Sequence, residues 1–140
     1  MAAMDELIEW LETHPKIALT HRCREDLKGL RKHHSLALRL RDAFERILEN
    51  PMGGRVVQNE HGARRWRVDK FRIVYWILDE LQQRLGVDKA RILEKTLDPS
   101  KNEAVIMPIA VKPRGDVYKK AAKILRQRYV KQLKPKEGGK

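Results

Sequence analysis

Residues Met4, Leu7, Ile8 and Leu11 recur at helical spacing, and Pro15 bounds the segment, so a short amphipathic helix is predicted over 4–12. "KIALT" (16–20) reads as a short strand. The run from Cys23 to Pro51 predicts two helices with a break near His34–Ser35, where Ser35 is a plausible cap. Leu40, Phe44, Ile47 and Leu48 form the apolar stripe of the second helix, and Asn50–Pro51 with Gly53–Gly54 ends it. A turn-rich stretch, "VVQNEHGA", follows. The period then switches to two. In "RWRV", Trp66 and Val68 point one way while Arg65 and Arg67 point the other. Asp69–Lys70 has the length of a hairpin turn. "FRIVYWIL" is the strongest strand signal, with Phe71, Ile73, Tyr75 and Ile77 on one face and Arg72, Val74, Trp76 and Leu78 on the other. Apolar residues on both faces predict a central strand covered by helices.

Residues 81–103 are ambiguous between a helix ("ELQQRLG"), a short strand ("ARILEKTL") and a turn at Asp98–Pro99–Ser100. "AVIMPIAV" (104–111) reads as a strand in which Pro108 belongs at an edge or a bulge. "KPRGD" reads as a loop. A basic helix over 117–132 follows, with Val117, Ala121, Ile124, Leu125 and Leu133 as a loose seam. The order predicts one α+β domain over 1–133, with residues 1–15 and 81–103 as additions and 134–140 as a disordered basic tail.

Composition sharpens this picture at one point. The chain has 140 residues, 31 Lys and Arg against 19 Asp and Glu, and a net charge of +12. From Lys112 to Lys140 eleven cations face only Asp116 and Glu137. Such a field favours a polyanion. A single cysteine, Cys23, excludes an internal disulfide, and no residues have metal-ligand spacing, His33–His34 included. Acidic residues near the start and the lack of a long apolar run point to a soluble, cytoplasmic protein without a membrane partner. The helical pair over 24–49 makes a poor groove reader, because its second helix carries Asp42, Glu45 and Glu49.

The stretch "RRWRVDKFRIVY" places Arg64, Arg65, Arg67, Lys70 and Arg72 on or beside neighbouring strands. Hairpin pairing brings Arg67 and Arg72 together, which is unfavourable unless a counter-charge fills the gap. A solvated sheet face is the plain alternative. A phosphate backbone is the natural missing partner, since guanidinium groups grip it in a bidentate fork. Trp66, Phe71, Tyr75 and Trp76 read first as core and second as stacking surfaces for bases. His61 reads as a bystander in its loop.

"FERILENP", "RWRVDKFRIVYWILDE" and "VKPRGDVYKKA" together resemble the RelE/ParE superfamily of toxins from type II toxin–antitoxin systems, over about residues 16–126. The resemblance implies a small twisted antiparallel sheet with a helical hairpin packed on one face, here with an extra N-terminal helix and a basic C-terminal helix. The RelE branch implies a metal-independent endoribonuclease without cofactor that cuts mRNA on the ribosome and is neutralised by an acidic antitoxin. It implies active-site roles for Arg65, Arg67, Arg72, Lys112, Arg114 and Tyr118, with Arg64, Lys70, Lys119, Lys120 and Lys123 along the RNA path. Attack by a ribose 2′-OH needs a base, and arginine stays protonated, so Tyr118 and Lys112 are the titratable candidates at these positions. The alternatives are a non-catalytic ribosome- or nucleic-acid-binding protein of the same fold and a ParE-like gyrase inhibitor. The short hairpin turn, the insertion at 81–103 and Pro108 all depart from the RelE pattern.

Overall fold

The computed structural model describes residues 2–58, 60–117, 127 and 130–132. Helix α1 (Ala3–Thr13) buries Met4, Leu7, Ile8 and Leu11 along one stripe, as the spacing predicts. Residues 16–20 do not form a regular strand. They run beside the last strand with single bridges, Ile17 to Ile106 and Thr20 to Thr96. Thr20 then caps α2 (His21–Lys28), its Oγ1 accepting from the Cys23 amide at 3.2 Å. Helix α3 (His34–Glu49) buries Leu40, Phe44 and Ile47. Ser35 is not its cap: the helix begins one residue earlier, at His34, with no side-chain cap. Asn50 and Pro51 close it, as expected, and a 3-10 turn spans Pro51–Gly53.

Four antiparallel strands follow in the spatial order β1 (Arg55–Val56), β2 (Arg64–Val68), β3 (Phe71–Ile77) and β4 (Ile106–Pro113). The β2–β3 turn is the two-residue Asp69–Lys70, with Asp69 in the left-handed region at φ 53°, a conformation that Asp tolerates. Strand β1 reaches only Arg64 and Arg65, so the outer edge of β2 from Trp66 onward has no strand beside it among the described residues.

Strand β3 is buried along its whole length. Phe71, Ile73, Tyr75 and Ile77 join one apolar cluster with the buried faces of α1, α2 and α3. Val74, Trp76 and Leu78 join a second cluster with α4 (Leu78–Leu85), α5 (Lys89–Leu93) and Val130. Two-sided burial of the central strand thus follows from its alternation.

The segment 81–103 resolves into helix rather than strand. Gly86, at φ 65°, ends α4 in a left-handed cap, and the expected strand is replaced by α5. Ile92 and Leu93 are both buried there, and the edge of β4 that a strand would have joined is taken by residues 16–20. Pro108 falls where a proline is tolerated, on the edge strand at a bulge. Tyr75 pairs with Pro108 and Val74 with Ala110, leaving Ile109 as the extra residue. The expected loop "KPRGD" is shorter than read: Lys112 and Pro113 finish β4, and Arg114 opens the short helix α6 (Arg114–Val117), its amide donating to Lys70 O at 2.9 Å. Most of the helix expected over 117–132 lies outside the described residues.

Candidate functional site

Register decides which cations meet. Arg65 pairs with Val74, Arg67 with Arg72, and Arg72 with Lys112, so these basic residues share one face of the sheet. Arg55 of β1 lies opposite Arg65, and Arg114 leaves the end of β4 beside the hairpin turn. The outcome is a cavity of about 480 Å³ lined by Arg55, Arg65, Arg67, Arg72 and Arg114, with Gly53, Gly54 and Trp66 completing its wall. Four of the six residues assigned an active-site role therefore converge.

The guanidinium groups that line this cavity repel one another. Burial first, then Arg67, Arg114 and Arg65, lowers the pKa of Arg72 from its ordinary value. Burial, Arg55 and Arg114 do the same to Arg65. Each guanidinium thus disfavours its neighbours' charge. Among the described residues no carboxylate forms a salt bridge with Arg55, Arg67, Arg72 or Arg114. Arg72 is held by carbonyls instead, Nη1 donating to Phe71 O at 2.8 Å and Asp69 O at 3.1 Å. Asp69, the nearest acid in sequence, is taken by Arg39 of α3.

Two of the predicted cations are placed elsewhere. Lys112 reaches around the sheet edge, its Nζ 2.7 Å from Asp26 Oδ1, while Asp26 Oδ2 accepts from the Val111 amide. Arg64 is buried and turned inward. It pairs with Glu80 at 3.3 Å and donates to Met52 O at 3.1 Å and Gly54 O at 3.0 Å. It braces the loop that walls the cavity. Tyr75 braces the same loop, donating to Pro51 O at 2.6 Å. Burial pushes its hydroxyl up to about 12, so it is a donor at neutral pH and no base. Lys70 is exposed and lies over the Phe71 ring. Tyr118, Lys119, Lys120 and Lys123 lie outside the described residues.

Sequence reasoning missed Arg55. Its strand is two residues long, too short for alternation to register, and only the Gly53–Gly54 pair before it marks a close approach. A Cβ at Gly54 would collide with the Tyr75 hydroxyl, and one at Gly53 would stand 2.7 Å from Asn50 Nδ2. Among the described residues no group of three His, Cys, Asp or Glu is arranged to hold a metal ion. No helix among them is long and apolar enough to cross a membrane.

A family model described as the ParE toxin of the type II toxin–antitoxin system, parDE, matches residues 17–93. No curated protein and no solved structure matches the chain. The matched segment contains Arg55, Arg65, Arg67 and Arg72 and ends before Arg114.

Proposed function

We propose that this chain, which belongs to the ParE toxin family of type II toxin–antitoxin systems, grips the phosphate backbone of RNA in its arginine cavity and cuts it, as a RelE-type endoribonuclease acting on mRNA at the ribosome. Family membership itself implies an antitoxin partner. The observation that carries the finer reading is the convergence of Arg55, Arg65, Arg67, Arg72 and Arg114 on one cavity. Structural salt bridges spend their charge on a partner; among the described residues Arg55, Arg67, Arg72 and Arg114 have no carboxylate in a salt bridge, which leaves their charge for a ligand.

The reaction asks for little else from the protein. The ribose 2′-oxygen bonds to the adjacent phosphorus and the bond to the 5′-oxygen breaks. The hydroxyl proton leaves to a base, and the departing oxygen gains one. Negative charge builds on the phosphoryl oxygens between these events, where fixed guanidinium donors stabilise it most. Arg67, Arg72 and Arg114 form the clamp in this scheme, with Arg65 and Arg55 along the strand. Lys112, tied to Asp26, contributes charge near the edge of β4 rather than proton transfer. In this scheme proton transfer falls to Tyr118, because a cation placed beside a phenol favours its phenolate. Lys70, Lys119, Lys120 and Lys123 extend the path of the strand, whereas Arg64 serves the loop behind it.

Primer extension on translating ribosomes tests the reading. Codon-positioned cuts are expected from the wild type, with a loss of about 100-fold or more in Arg72→Ala, and loss in Tyr118→Phe. Unchanged cutting in both variants removes these roles. A second reading, a gyrase inhibitor, is favoured by the ParE description of the matched family model and by the match ending before Arg114. Inhibition of purified gyrase supercoiling with no ribosomal cuts selects it.

A further inference from the structure

Four aromatic side chains of the β2–β3 hairpin compete as platforms for a base, and burial removes three of them. Phe71 and Tyr75 belong to the first apolar cluster. Trp76 belongs to the second, its Nε1 donating to Glu60 O at 3.1 Å. Trp66 differs. It is only half buried, packed against the first cluster, and it lines two hollows at once. One is the arginine cavity. The other, also about 480 Å³, opens between α3 and β2. Ala43, Val68 and the exposed Leu38 give the second hollow its apolar surface. Its walls carry the ion pairs Arg39–Asp69 and Arg46–Asp42, so their charges are already matched. The two hollows thus divide the labour that a nucleotide requires: a strongly cationic cavity beside one with a partly apolar lining and mostly paired charges, Arg67 bordering both.

The backbone explains why they adjoin. Alternation along β2 sends Arg65 and Arg67 to one face and Trp66 to the other. Among the described residues the outer edge at Trp66 has no strand beside it, so a ligand crossing that edge reaches both faces. Gly53 keeps the neighbouring wall to backbone thickness, since a Cβ there would stand 3.2 Å from Trp66 Cζ3. We propose that Trp66 is a base-stacking platform that holds the nucleobase beside the gripped phosphate, in the hollow between α3 and β2. This rests on the RNA reading above and adds to it. Because every base has a π-face, the platform contributes affinity rather than sequence choice.

Calorimetric titration of the full chain with two ligands tests it: an uncleavable 2′-O-methyl RNA trinucleotide and inorganic pyrophosphate. Trp66→Ala is expected to weaken the trinucleotide about tenfold or more and to leave pyrophosphate binding unchanged. Trp66→Phe should retain most of the trinucleotide affinity, and Trp66→Leu, which preserves apolar packing, should lose it. Equal trinucleotide affinity in Trp66→Leu and wild type overturns the platform and leaves the RNA reading standing. Parallel loss of both ligands in Trp66→Leu also overturns it, because the ring then only braces the cavity. A wild type that binds pyrophosphate but not the trinucleotide ends the RNA reading and the platform together.

Discussion

Arg67 and Arg72 face each other across β2 and β3, and among the described residues neither forms a salt bridge with an acid. Cross-strand like charges destabilise a sheet, by roughly 0.2–1 kcal/mol for a directly opposed pair. Arg67 is exposed, so its charge can be removed at small cost. Arg67→Gln is therefore expected to raise the thermal midpoint of the ligand-free protein while weakening RNA binding. A calorimetric scan with a matched binding curve checks both halves, and a lowered midpoint in the variant contradicts the repulsion. The clash between Arg67 and Arg72 was legible from the sequence, because a two-residue turn dictates who meets whom. The fates of Arg64 and Lys112 were not. Each is decided by an acid on a distant element, Glu80 or Asp26, and strand alternation says nothing about how far a long side chain will bend to reach one.

The loop from Pro51 to Gly54, whose only regular structure is the 3-10 turn at Pro51–Gly53, is fastened from the sheet. Arg64 and Tyr75, both from the sheet, hold three of its carbonyls. Gly54→Ala should cost about 1–3 kcal/mol through overpacking. The same substitution in a Tyr75→Phe background should cost less, since the hydroxyl it meets is gone. A double-mutant cycle from urea unfolding measures that difference, and simple additivity would show that the contact is not what makes glycine necessary there. At this scale the sequence was most informative where a pattern repeats. Strand β3 announced both its faces over seven residues, and α1 and α3 announced their stripes. Strand β1 is too short to repeat anything, and Arg55 was missed with it. The run at 90–97 stayed ambiguous in the sequence: its composition is strand-like, but the sheet edge it could join is already occupied by residues 16–20.

At the scale of the molecule, a net charge of +12 and an arginine cavity make association with a polyanion strongly dependent on salt. If the five cavity arginines each displace a counterion from single-stranded RNA, log affinity should fall with log salt at a slope of roughly 3.5. Filter binding at several potassium concentrations measures it, and a flat response would separate the cavity from RNA binding. The α+β arrangement followed from the order of the patterns. The meeting of β1, β2, the glycine loop and α6 around one hollow did not, because it depends on a register and a turn that only the folded chain specifies.

The short reach of β1 carries a last consequence. An uncovered strand margin invites a second copy of the protein to zip onto it, and proteins commonly guard such margins with charge. Here the guard is the cationic cluster itself. Two molecules aligned margin to margin would have to press Arg67 against its twin. In such a pairing the residues proposed to hold a ligand would repel their counterparts wherever no ligand neutralises them.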